Sequence, residues 1–270
     1  MKRLVYCADL HGDIERYKTF FELPGDYHII GGDLLPKRGY FKSLYDIQKH
    51  FLVEFLKPLL EAQKKRTRTL LMLGNDDIET FEGFLRELEA EGLCHHLHGH
   101  LFEVEGFELI GFKYIPPTPF SSKNFERRDS RGVAQKQFAA PVLFQADGSF
   151  STIDFESYLK SHPSIAELLE QLPKPRDFSK AIYIMHSPPY NSGIDVTVNK
   201  EPVGSQDIRD FICKYKPAVV LCGHIHESPG TMKIGETVCI NPGQLKEFAY
   251  TSFELNNGSI EFLKIPLEMS

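Results

Sequence analysis

Apolar residues arrive along this chain in short runs, and five of the runs stop abruptly at a polar turn. Residues 4–8 form the first and break into Asp9, Leu10, His11, Gly12 and Asp13. Residues 27–30 close on Gly31, Gly32 and Asp33, and residues 69–73 on Gly74, Asn75, Asp76 and Asp77. Residues 181–185 deliver His186, and 218–222 lead into Gly223, His224, Ile225 and His226. Apolar runs of about five residues bounded by turn signals read as buried strands. Between the early runs the spacing becomes helical. A helix is expected from Asp13 through about Glu22, ending near Pro24 and Gly25. Leu44, Ile47, Phe51, Phe55 and Leu59 mark a second helix over 43 to about 65, which Pro58 should kink or divide. A third should run from Ile78 to about Glu91 with Phe81, Phe84, Leu85 and Leu88 facing inward. Strands alternating with helices imply parallel pairing.

The rhythm then changes. Residues 101–104 and 107–112 read as a hairpin around Glu105 and Gly106. Pro116, Pro117 and Pro119 punctuate the chain, and from there to about Lys180 strand–helix alternation fails. One helix is expected over 154–172, closed by Pro173 and Pro175. The stretch 116–180 reads as an insertion over one end of the sheet, within a single domain spanning 1–270. Ser205 should cap a helix through Tyr215. The tail offers strands at 237–240, 248–255 and 260–265, with a hairpin turn at Asn256, Asn257 and Gly258. No internal repeat, low-complexity segment or flexible linker is visible.

Composition narrows the function classes. With 270 residues, 41% hydrophobic and 25% charged, the chain can bury a sizeable core. Its 31 basic and 37 acidic residues leave a net charge of −6, which argues against an electrostatic grip on nucleic acid or membrane. Bound divalent cations would offset such a balance. None of the five cysteines form a C-x-x-C pair, and Cys7, Cys222 and Cys239 lie inside apolar runs, as expected of buried free thiols in a reducing compartment. No apolar run approaches transmembrane length, so a soluble cytoplasmic protein is expected. His95, His96, His98 and His100 fall in one seven-residue segment; an exposed loop and strand edge is favoured there over a transition-metal site. Lys123, Arg127, Arg128, Arg131 and Lys136 in the insertion read as a charged surface loop, with phosphate contact as the alternative.

The five strand ends hold the candidate chemistry. In open α/β sheets ligands bind at the carboxyl ends of parallel strands. That edge would gather Asp9, His11, Asp33, Asn75, His186, His224 and His226: two carboxylates, one amide oxygen and four imidazoles, with no thiolate. Any one of them could be an ordinary turn residue; all seven together are poorly explained that way. Such a donor set suits manganese, iron or zinc better than calcium. Seven ligands suffice for two ions if a carboxylate bridges. Paired ions stabilise the attacking and leaving oxygens of an in-line displacement, and a metal can lower the pKa of water to about 7. Phosphate-ester hydrolysis needs both.

Asp9-x-His11, Gly32–Asp33, Gly74–Asn75, His186 and Gly223–His224-x-His226 match, in order, the motifs of the calcineurin-like metallophosphoesterases. The chain resembles that superfamily from residue 4 to about 243, the insertion excepted. The resemblance implies an α/β fold, a two-sheet β-sandwich with mixed sheets flanked by helices. It implies two divalent transition-metal ions: Asp9, His11 and His226 on one, Asn75, His186 and His224 on the other, and Asp33 bridging. Asp33, Asn75, Asp76 and His224 become the candidates to act on the phosphoryl group. Asn241–Pro242–Gly243 resembles the turn that often follows the last motif. One departure stands out: many members carry a histidine where this chain has Asp76. A carboxylate beside dications is a poor general acid and would repel a doubly charged monoester, so phosphodiesters are the expected substrates. Asp76 as a cap for the following helix is the plainer reading. The competing function is a scaffold with a vestigial metal site; seven competent side chains argue against it. The acidic balance and the lack of a basic, aromatic-studded surface make a nuclease less favoured.

Overall fold

The computed structural model describes residues 1–39, 43–132, 137–244 and 248–266. In chain order the first elements are β1 (Lys2–Cys7), α1 (Ile14–Glu22), β2 (Tyr27–Gly31), α2 (Leu44–Phe51), α3 (Lys57–Gln63), β3 (Arg68–Met72), α4 (Glu82–Ala90) and β4 (His95–His96). Next come β5 (Leu101–Val104), β6 (Phe107–Phe112), β7 (Val142–Phe144), β8 (Phe150–Thr152), α5 (Phe155–Ser161), α6 (Ile165–Gln171) and β9 (Ala181–Met185). The chain finishes with α7 (Gln206–Tyr215), β10 (Val219–Leu221), β11 (Gly230–Ile234), β12 (Thr237–Asn241), β13 (Thr251–Asn256) and β14 (Ser259–Lys264).

Two mixed six-stranded sheets result, in the orders β14-β13-β1-β2-β3-β4 and β11-β12-β10-β9-β6-β5. Strands β1 to β4 are mutually parallel, with antiparallel β13 and β14 appended. In the second sheet β12, β10, β9 and β6 are parallel, and β11 and β5 are antiparallel edges. Alternation sorts each strand between two cores. Leu4, Tyr6 and Ala8 point between the sheets, with Leu70, Ile184 and Leu221. Val5 and Cys7 point outward, onto Tyr17, Phe20, Leu56 and Leu85 of the first helical layer. Tyr183 and Met185 pack against Ile165, Ile208 and Phe211 of the second. Each buried Val, Leu, Ile, Phe or Met among them contributes roughly 1.5–3 kcal/mol. The expected sandwich flanked by helices is therefore the fold, and both sheets send the carboxyl ends of their parallel strands to one edge.

Several expectations need correction. The helix over 43–65 is divided near Pro58, as expected, though into α2, a π-helical turn at Leu52–Leu56, and α3. Pro58 has no N–H and its ring crowds the preceding turn; the register widens just before it, with the Lys57 N–H reaching the Leu52 carbonyl. The helix over 154–172 is two helices, because Pro163 stops α5 and Ser164 starts α6 with a reciprocal capping box to Glu167. The helix expected from Ile78 begins as one 3₁₀ turn at Glu79–Phe81. The strand expected from 248 begins at Thr251. Strands β7, β8 and β11 were not anticipated.

The histidine segment does sit on a strand edge, β4, and its end at Gly99 and His100 is exposed, but His96 is buried. Lys123 and Arg127 do not lie on a charged surface. Lys123 is 0% exposed and ion-paired to Glu126, which is 1% exposed, at 3.0 Å. Arg127 donates to the carbonyls of Asn124 and Glu126 at 2.8 Å each. Arg128 and Arg131 hold the carbonyls of Leu159 and Pro202. Lys136 lies outside the described residues. Cys7, Cys222 and Cys239 are buried free thiols, as expected. Among the described residues no helix is long and apolar enough to cross a membrane.

Candidate metal centre

Parallel β1 and β2 end side by side, and their following loops stay zipped together. Asp9 N–H donates to Gly32 O at 3.0 Å, His11 N–H to Asp33 O at 2.8 Å, and Gly12 N–H to Leu34 O at 2.9 Å. The loops turn tightly enough to put Asp9, His11, Asp33 and His224 at φ of 59°, 46°, 53° and 66°. Left-handed backbone is costly for side-chain-bearing residues, and Asp and His are among the few types that tolerate it. Two motif glycines are required by crowding. A Cβ at Gly223 would strike the Asp9 carboxylate, and one at Gly74 would strike the Asp33 backbone and carboxylate.

All seven expected ligands reach this edge. Asp9, His11, Asp33 and His226 each offer one atom, and those atoms lie within 4.8 Å of one another. The two Nε2 atoms of His11 and His226 face each other at 3.1 Å, and His226 Nε2 is 3.3 Å from Asp9 Oδ1. Beside this group, His186 Nε2 lies 3.0 Å from Asn75 Oδ1 and 3.5 Å from Asp33 Oδ1. The His224 ring centroid is 5.3 Å from that of His186. Asp33 Oδ2 lies 3.8 Å from His11 Nε2, so its two oxygens face opposite groups. His186 Nδ1 pairs with the Gly31 carbonyl at 2.9 Å, which leaves Nε2 aimed inward.

Electrostatics favour cations here. Burial would raise Asp33, but the charge and hydrogen bond of His186 hold it well below the carboxylate range. Burial likewise opposes ionisation of Asp9, and the His226 hydrogen bond overcomes it. Burial would lower His186, yet Asp33 and Asp9 push it up to about 9. His11 and His224 are driven down by burial, to about 4 and about 3, and stay neutral with lone pairs available. Two buried carboxylates thus draw protons onto two of the four imidazoles, where positive metal ions would serve the same balance. Among the described residues His11 Nδ1 is buried without a partner, and Nε2 is the nitrogen that faces His226 and Asp33. The donor set fits two hard-to-borderline dications.

Asp76 does not cap a helix. Its N–H donates to Asp33 Oδ1 at 2.9 Å and its carboxylate pairs with Lys37. Burial, and then the Asp33 charge, raise its carboxyl to about 6 against the pull of Lys37. The fastening role falls to Asp77, which accepts from Leu34, Leu35 and Gly74 N–H at 3.0, 2.7 and 2.8 Å. Gln48, fully buried, donates to Asp76 O and accepts from Ile78 N–H, both at 2.8 Å. Asn241 holds the last loop, donating to Ile225 O at 2.9 Å while Gly243 N–H donates to its Oδ1. Lys37, Asp77 and Gln48 were not foreseen. Gln48 left a signal, as a polar residue on the apolar stripe between Leu44 and Phe51; Lys37, in a polar turn, left none.

Residues 166–265, which carry His186, His224 and His226, match the family described as metallophosphoesterase, calcineurin superfamily. Over that stretch the chain is similar to the metallophosphoesterases of the calcineurin superfamily. It is 35% identical over 79 residues to the uncharacterized protein MJ1162 of Methanocaldococcus jannaschii, a match covering 28% of this chain and 36% of that one. The matched stretch thus spans about a third of the length of that curated relative. TT1561 of Thermus thermophilus superposes with a TM-score of 0.55 at 19% identity over 97% of each chain. A dimetal phosphatase from Danio rerio, LOC 393393, superposes with a TM-score of 0.55 at 10% identity, over 98% of this chain and 96% of its own. At these identities the likeness to the two solved structures is one of fold.

Proposed function

We propose that this protein is a binuclear metal-dependent hydrolase of phosphate esters that prefers diesters. The observation that carries the reading is Asp33, whose two carboxylate oxygens face two separate ligand groups. Asp9, His11 and His226 would hold one ion, Asn75, His186 and His224 the other, with Asp33 shared. Two divalent ions of manganese, iron or zinc supply Lewis acidity and a hydroxide nucleophile at neutral pH.

The chain's own residues do the rest. The Gly31 carbonyl fixes the His186 tautomer. Asp77 and Gln48 lock the loops of Asp33 and Asn75 in register. Lys37 lines the adjoining cavity and offers a cation to a phosphoryl oxygen. That cavity, about 430 Å³, is large enough for one small ester. Its described lining also carries Asp76, Glu201 and Glu227. Three carboxylates besides Asp33, on a cavity lined by one lysine, disfavour a doubly charged monoester more than a singly charged diester, which supports the diester preference.

The test is hydrolysis of an aryl phosphodiester by metal-stripped protein, with and without added manganese. Manganese-dependent turnover, faster on the diester than on the matching monoester, is expected. A fully metal-loaded protein that turns over neither ester would instead leave the scaffold reading standing.

A further inference from the structure

The cavity beside the candidate metal centre has a wall that metal-assisted hydrolysis does not call for. Phe120 is 55% exposed and Phe138 is 77% exposed, and both line that cavity with Val198, which is 76% exposed. Exposed single apolar residues are ordinary; a contiguous apolar group beside a polar site marks binding. The two rings stand edge to face, with centroids 6.2 Å apart at 75°. One edge and one face are thereby offered together, the preferred geometry for receiving another ring.

The wall is held in place at some expense. Phe138 N–H donates to Pro119 O at 2.8 Å, joining the two phenylalanine segments. Between Pro117 and Pro119, Thr118 N–H donates to Glu126 Oε2 at 2.9 Å, and its carbonyl accepts from Lys123 Nζ at 2.8 Å. Lys123 and Glu126 form the buried ion pair already described, and burying such a pair brings little net stability. A buried charge pair that tethers a proline-rich segment carrying solvent-exposed rings is difficult to explain by folding alone. Val198 is fixed too: its N–H donates to Glu227 at 3.2 Å.

Building on the phosphoester-hydrolase reading, we propose that Phe120 and Phe138 clamp the non-reacting group of the substrate, and that this group is an uncharged planar aromatic ring. Charge narrows the class. Glu201 and Glu227 on the same cavity oppose a polyanionic extension. A nucleobase and a simple aryl group share the required chemistry.

The experiment uses manganese-loaded protein and three diesters with one leaving group: methyl, phenyl and thymidine-5′ p-nitrophenyl phosphate. Wild type should favour the phenyl or thymidine ester over the methyl ester by about tenfold or more in kcat/KM, as one aromatic stack provides. Phe120→Ala/Phe138→Ala should bring that ratio near one, mainly through KM. A larger thymidine than phenyl ratio assigns a base; the reverse assigns an aryl group. Binding of phenyl methylphosphonate and of dimethyl phosphinate by calorimetry gives a readout independent of turnover. Aryl-selective binding lost in the double variant, without hydrolysis of any ester, keeps the clamp and refutes the hydrolase reading. Hydrolysis with a phenyl-to-methyl ratio that the double variant leaves unchanged refutes the clamp and keeps the hydrolase. A protein with neither aryl preference in turnover nor aryl-selective binding refutes the clamp outright.

Discussion

The two halves of the candidate metal centre are built differently. Asp9, His11 and His226 come from loops of opposite sheets, and the His11 and His226 side chains are 17% and 27% exposed. In the other half His186 is fully buried and Asn75 nearly so, His224 is half-buried, and His186 is already pinned by a main-chain carbonyl. The first half has its donors converged but within reach of solvent. The second is pre-set and sheltered. Ions in the two halves should therefore differ in how readily they exchange, although the donor count on each side is the same.

The largest effect should come from abolishing the distinction. Asp33→Ala removes the shared carboxylate, so both metal equivalents are lost and turnover falls by about 10³-fold or more, beyond the loss of one charge-stabilising donor. Elemental analysis reads this directly, and two full equivalents retained would falsify the bridging role. Next, His11→Ala and His186→Ala should each lose one equivalent. In wild type a chelator titration should be biphasic, and the phase that vanishes in His11→Ala should be the fast one. A single phase in wild type would erase the difference between the halves. Asp76→His should shift the diester-to-monoester ratio of kcat/KM toward monoesters by about tenfold, one charge contact at partly buried distance. An unchanged ratio removes Asp76 from substrate choice.

A histidine outside both halves separates site effects from fold effects. His28 is 1% exposed, between Thr67 Oγ1 at 2.8 Å and Phe20 O at 3.0 Å, and burial lowers it to about 4. Unfolded, it would titrate near 6.5. Between those values the unfolded chain binds more protons, so stability drops as pH falls from 6.5 toward 4. The loss over that window amounts to a few kcal/mol, at about 1.4 kcal/mol per pH unit. Denaturant melts of wild type and His28→Gln across that window check it; parallel curves would exclude His28.

Legibility followed chemistry. All seven candidate ligands were readable because their types are few and each ends an apolar run. Parallel sheets were readable because helices separate the early runs. Residues 116–180 were not, because their order comes from partners that no local period reveals. Lys123 is buried by Glu126 and lies 4.5 Å over the Phe155 ring. Arg127 stacks on Tyr114 and bonds Tyr158. Strands β7 and β8 are three residues each, too short for alternation to register. Pro163, by contrast, did announce the break between α5 and α6, and the helical spacing around it masked the signal.

The left-handed backbone at Asp9, His11, Asp33 and His224 bears on how such a chain could change over generations. Glycine and asparagine are the residues most at ease in that conformation. A copy freed from selection for its chemistry could drift toward them at His11 and gain folded stability, whereas Asp9 and Asp33 also accept the His224 and Asp76 N–H groups and would lose those bonds. His11→Gly should accordingly melt higher than His11→Ala in metal-free protein, by about 1 kcal/mol; equal melting would remove the bias. The shape would outlast the activity, because the step that removes a metal-facing side chain at His11 also relaxes the backbone that carries it.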